Sequence, residues 1–173
     1  KTAPSVETQV KAYTKVFQAF GDRKVVVRTL DAGADKPLAF APSDEEENPA
    51  LGVRGLRMDR RYPQLLDDQL TAIAQATKAT GAKVWVMAPM VATVHEAEAF
   101  EKRVKSHDLP VGGIMIEVPA AALRAPHLIE KVDFFSIGTN DLTQYAMATD
   151  RMAGELAELL DPWQPAVLDL IAM

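Results

Sequence analysis

Four side chains carry the chemistry this sequence offers, and each stands where a short apolar run ends. Arg28 follows the β-branched run at 25–27. Glu117 lies at the end of the run that begins at Ile114. Asn140 and Asp141 stand just beyond the run at 134–137. Runs of this kind read as buried strands that pass into helices. If the strands are parallel, their C-terminal ends share one rim, and ligands of parallel α/β folds bind on that rim. Two carboxylates and a carboxamide there would hold a hard cation and the ligand it neutralises. Arg28 would present a planar fork to a phosphate or a carboxylate.

Each of these residues also has a plainer reading. A buried carboxylate needs a partner or a metal, but Glu117 at a strand end also reads as a group that reaches water. Asp141 suits the first turn of a helix, where it would serve the dipole. Arg28 has Asp31 as a nearby ion-pair partner. Arg54, Arg57, Arg60 and Arg61 form a basic run that mostly reads as a solvated face, with a ligand role open for any one of them. Gly112, Gly113 and Gly138 are weak phosphate-loop signals, because strands and caps use glycine too. His95, His107 and His127 sit among charges and read as surface residues rather than nucleophiles.

The elements that must position the four residues follow from periodicity. Ser5 caps a helix whose stripe is Val6, Val10, Tyr13, Val16, Phe17 and Phe20, and Gly21 ends it. The strand at 25–27 leads into an irregular segment at 31–49, rich in proline and carrying an acidic run at 44–47. A loop longer than about 12–15 residues is usually functional or disordered. A turn at 48–52 precedes a helix through Leu56, and a second helix covers 63–79. The strand at 84–87 leads to Thr93, which with Glu96 spells a capping box for a helix to about Ser106. A strand at 111–118 is followed by a helix at 119–130 that Pro126 kinks or shortens. The last strand, at 134–138, leads to a helix capped by Thr139, and Pro162 starts a terminal helix. Strands alternating with helices imply a parallel sheet. A doubly wound sheet and part of a (β/α)₈ barrel both fit, and 173 residues are few for a whole barrel.

Composition narrows the classes. The hydrophobic fraction of 48% is that of a globular core. A formal net charge of −5 gives no basic surface for nucleic acid. Cysteine is absent, which excludes disulfides and thiolate metal sites and fits a reducing compartment. The start, Lys1-Thr2-Ala3-Pro4, has no apolar signal core, and no run of about 18 apolar residues is present, so neither a membrane span nor secretion is expected. A cytoplasmic protein is the expectation.

Four longer stretches go further. The segment G-I-M-I-E-V-P-A-A-A at 113–122 and the segment F-F-S-I-G-T-N-D-L-T-Q-Y at 134–145 resemble the signature of phosphoenolpyruvate (PEP)-utilising enzymes. R-T-L-D-A-G-A-D-K at 28–36 and N-P-A-L-G-V-R at 48–54 are similar to further motifs of that family, in the family's order. T-Q-Y-A-M-A-T-D-R at 143–151 looks most like enzyme I of the bacterial sugar phosphotransferase system.

The resemblance implies a partial (β/α)₈ TIM barrel of about four parallel strands with flanking helices, one piece of a PEP-binding domain over 1–173. It implies a phosphotransferase that takes phosphate from PEP onto its own histidine and passes it to the carrier protein HPr, as a homodimer. Matched by motif, Glu117 and Asp141 are the expected Mg²⁺ ligands. Arg28, Asn140, Asp141 and Arg151 are the expected PEP binders, with Lys36 and Arg54 near the same pocket. The family's phosphohistidine and cysteine acid have no counterpart among these residues, so the chain is expected to hold the middle strands of the barrel and not to turn over alone. The dikinase and synthase branch of the family, or a non-catalytic dimerisation module, are the alternatives.

Overall fold

A computed structural model of the chain describes residues 2–34, 36–42 and 45–173. The first described acidic residue after Pro42 is Glu45, so Asp44 of the acidic run at 44–47 lies outside the described residues. Helix α1 (Val6–Phe20) starts where the Ser5 hydroxyl accepts the Thr8 N–H and stops at Gly21, which sits at φ 55°. Strand β1 (Val25–Arg28) follows, then the long segment, then α2 (Pro63–Thr80). Next come β2 (Val84–Ala88), α3 (Val94–Ser106) and β3 (Gly112–Ile116). The chain continues through α4 (Pro119–Leu123), α5 (Ala125–Leu128), β4 (Phe134–Ile137), α6 (Thr139–Ala146) and α7 (Pro165–Ala172).

The four strands form one sheet in the order β1-β2-β3-β4, and every pair is parallel. The architecture is the part-barrel of parallel strands and flanking helices that the family resemblance implies, where the alternation alone also fitted a doubly wound sheet. Register places Arg28 beside Met87, Ala88 beside Ile114 and Ile116 beside Ile137. All four strands thus deliver their C-terminal ends to one rim. Leu70, Ile73, Val86, Phe100, Val104, Ile114 and Leu128 fill the core between sheet and helices. Strand β3 is buried along its whole length, which explains its unbroken apolar sequence. Among the described residues no helix is long and apolar enough to cross a membrane.

Three expectations change. The helix foreseen through Leu56 is replaced by two 3₁₀ turns, Pro49–Leu51 and Gly55–Arg60, with Arg54 extended between them at φ −144° and ψ 166°. Gly55 at φ 56° permits that break, and its N–H bonds back to the Ala32 carbonyl at 3.0 Å. Thr139 does not cap α6; Gly138 holds the cap position and Thr139 is the first helical residue. The terminal helix begins at Pro165 rather than Pro162, after a 3₁₀ stretch at Gly154–Leu160. Pro126 acts as foreseen: the helix breaks at Arg124, because proline removes a donor and clashes with the preceding turn. The Thr93–Glu96 capping box forms in both directions.

Gly113 shows how tightly the sheet is drawn together. A Cβ there would lie 2.4 Å from the Phe134 ring and 2.6 Å from its carbonyl oxygen. Backbone cannot yield as a flexible side chain does, so Gly113→Ala is expected to destabilise the chain by about 1–3 kcal/mol. Urea unfolding monitored by circular dichroism checks this, with an unchanged midpoint as the opposing result.

Candidate functional site

The rim carries a cleft of ≈ 300 Å³ that brings most of the foreseen residues together. Arg28, Lys36, Glu117, Asn140, Asp141 and Arg151 all line it, along with Asp31 and Met115. Their positions follow from the elements beneath. Arg28 is the last residue of β1, Glu117 follows β3, and Asn140 and Asp141 occupy the first turn of α6. Lys36 is carried by a narrow turn in which Gly33 bridges back to it. Arg151 is held from behind, where its N–H donates to the Gln144 side-chain oxygen at 2.9 Å.

Arg54 lies beside the cleft without lining it. It is fully buried, not on the open wall of the cleft. Its guanidinium donates to Asp141 Oδ1 at 3.1 Å and Oδ2 at 3.4 Å, and to Asp31 Oδ1 at 3.3 Å. The extended backbone at Arg54 lets the side chain turn inward, and Gly33 makes room: a Cβ there would sit 2.5 Å from Arg54 Cβ. The rest of the basic run faces outward. Arg57 donates to the Gly52 carbonyl, Arg60 is exposed, and Arg61 pairs with Glu46 at 3.6 Å. The three histidines lie away from the cleft lining.

Asp31 joins three cations. It stands 3.9 Å from Arg28, 3.6 Å from Lys36 and 3.3 Å from Arg54, with its own side chain only 6% exposed. Arg28 approaches Asp31, and its side chain, 45% exposed, also lines the cleft. The sequence signal for Asp31 was its position three residues after Arg28. Arg151 comes within 3.9 Å of Asp141.

Glu117 is 1% exposed, so it is no strand end reaching water. One oxygen accepts the Met90 N–H at 2.6 Å. Met90 adopts φ 62°, an uncommon conformation for a residue with a side chain, and it aims that N–H inward. Gly138 packs against the same carboxylate, where a Cβ would lie 2.8 Å from Oε2. Burial, with repulsion from Asp141 and Asp31, pushes the Glu117 carboxyl up to about 7, against the Met90 bond and Arg54, which favour its charge. The sequence marks Met90 only as part of an apolar stretch at 87–90 that could wall a pocket, not as the N–H partner of Glu117.

All 173 residues match the family described as PEP-utilising enzyme, PEP-binding domain. The chain belongs to this family. It is 51% identical over 172 residues to a phosphoenolpyruvate-protein phosphotransferase of Streptomyces coelicolor, covering 99% of this chain and 31% of that protein. It is 45% identical to a multiphosphoryl transfer protein of Xanthomonas campestris pv. campestris, over 98% of this chain and 21% of that protein. A phosphoenolpyruvate-protein phosphotransferase of Staphylococcus aureus is 40% identical, over 97% of this chain and 31% of that protein. The chain therefore spans a third or less of the length of these curated relatives.

The raised Glu117 pKa gives a pH test in metal-free buffer. Folding lifts this carboxyl from the usual 4.5 to about 7. Between those values the folded chain holds a proton that the unfolded chain has released, so this group's contribution to stability falls as pH rises through the window. Relative to the parent, Glu117→Gln should gain roughly 3 kcal/mol between pH 4.5 and pH 8. Urea unfolding of both proteins across that range measures it; a difference independent of pH would refute the assignment.

Proposed function

We propose that this chain is the PEP-binding part of a phosphoenolpyruvate–protein phosphotransferase. The family and the relatives' names support the ligand. The observation that carries the reading is the single cleft in which cationic and acidic side chains from separate strand ends face one another. PEP carries a phosphate and a carboxylate. Arg28, Lys36 and Arg151 are the cations open to that cleft, and the Asn140 amide would donate to one anionic oxygen. Arg54 supports the site from below by holding Asp31 and Asp141, rather than touching the ligand.

The residues fit a magnesium ion. Among the described residues no cluster of three or more acidic, histidine or cysteine ligands is present, but Mg²⁺ is usually bound by one or two carboxylates plus substrate oxygens and water. Glu117 and Asp141 would be those carboxylates. Bound magnesium would supply charge neutralisation at the phosphoryl oxygens. The chain's own residues would fix the phosphoryl group's orientation and stabilise the charge that shifts as it departs.

In the whole protein the phosphoryl group would pass to a histidine outside these residues and then to HPr, in the cytoplasm, within a homodimer. The chain alone would bind PEP without completing the transfer.

Isothermal titration with PEP tests this. Binding is expected in the presence of Mg²⁺ and is expected to weaken at least about tenfold on chelation. Arg28→Ala and Glu117→Ala should each weaken it by about tenfold or more, about 1.4 kcal/mol or more, while far-ultraviolet dichroism stays unchanged. PEP binding that ignores both Mg²⁺ and Glu117→Ala would overturn the metal assignment, and no binding would overturn the ligand.

A further inference from the structure

We propose that Asp31 is a positioning residue that lets the cleft distinguish a ligand with two anionic groups from a single anion; this rests on the PEP reading above. The carboxylate is almost entirely buried, and it lies within 4 Å of cations from three different parts of the chain: the end of β1, the turn at Lys36 and the extended link at Arg54. Two of those cations, Arg28 and Lys36, line the cleft and keep 45% and 46% of their side chains exposed. Long side chains with that much exposure lose rotamer freedom when they grip a ligand. Asp31 offsets part of that loss in advance, because it tethers both to one point that Arg54 in turn anchors.

The tether has a geometric consequence. A single phosphate needs one well-placed cation and tolerates wide variation in the second. A molecule with a phosphate and a carboxylate at fixed separation needs two cations at a matching separation. Asp31 is the group that sets the spacing between Arg28 and Lys36, so its loss should fall on the two-headed ligand. A residue that merely neutralised buried Arg54 would affect both anions alike, through the stability of the site.

The test compares PEP with inorganic phosphate, each titrated calorimetrically in the presence of Mg²⁺ into the unsubstituted chain, Asp31→Asn and Asp31→Glu. Asp31→Asn is expected to weaken PEP at least about tenfold and phosphate less than about threefold. Asp31→Glu keeps the charge and should recover part of the discrimination, which keeps the test decisive if the asparagine variant fails to fold. Equal changes for both anions, or no loss of PEP affinity in the variant that folds, would overturn the proposal while leaving the PEP reading intact. Failure of the unsubstituted chain to bind PEP would overturn both.

Discussion

The cleft depends on one buried ion-pair network: the Arg54 guanidinium held between Asp31 and Asp141. Asp31 follows β1 and Asp141 opens α6 after β4, so the arginine ties together the two outer strands of the sheet across the rim. Removing charges from water is costly, and the arrangement stands only because each charge meets its opposite at hydrogen-bond distance. Asp141 still has lone pairs to offer outward, since a carboxylate accepts at about four positions. Asp31 in turn restrains Arg28 and Lys36. The exposed cations of the cleft are therefore oriented by a buried charge network beneath them.

The backbone is shaped to allow this. Gly33 and Gly55 let the segment carrying Arg54 pass close to the turn after β1 and bend sharply behind it. Gly138 leaves space beside Glu117, where any side chain would collide with the carboxylate. Met90 accepts an unfavourable φ and places its N–H on Glu117. These features spend local stability at the rim, while the core beneath is fully apolar. A buried acid lifted toward neutrality is a common mark of a site built to bind charge.

Much of the fold was legible because it is written in periodicity. Helical stripes, the Thr93–Glu96 capping box and four short apolar runs locate the strands and the main helices to within a few residues, though not the 3₁₀ stretch at Gly154–Leu160. What failed was local chemistry. The stretch after the turn at 48–52 read as a helix through Leu56, yet Gly52 and Gly55 allow the extended link that turns Arg54 inward. Thr139 has the right chemistry for a cap but loses that position to Gly138, whose missing Cβ matters more to Glu117. The cleft's composition was legible from the residues at strand ends and from motif resemblance. The burial of Arg54 was not: charge alone does not separate the four arginines, and the 48–54 motif that set Arg54 near the pocket does not give its depth. Asp31 was visible solely as a neighbour of Arg28; that it also meets Lys36 and Arg54 is a fact of folding.

Equilibrium urea unfolding of Arg54→Met at neutral pH tests the central claim most directly. Removing one member of a buried charge network leaves its partners desolvated and opposed, so the account predicts a loss of about 3–5 kcal/mol. A variant as stable as the parent, or more stable, would contradict it.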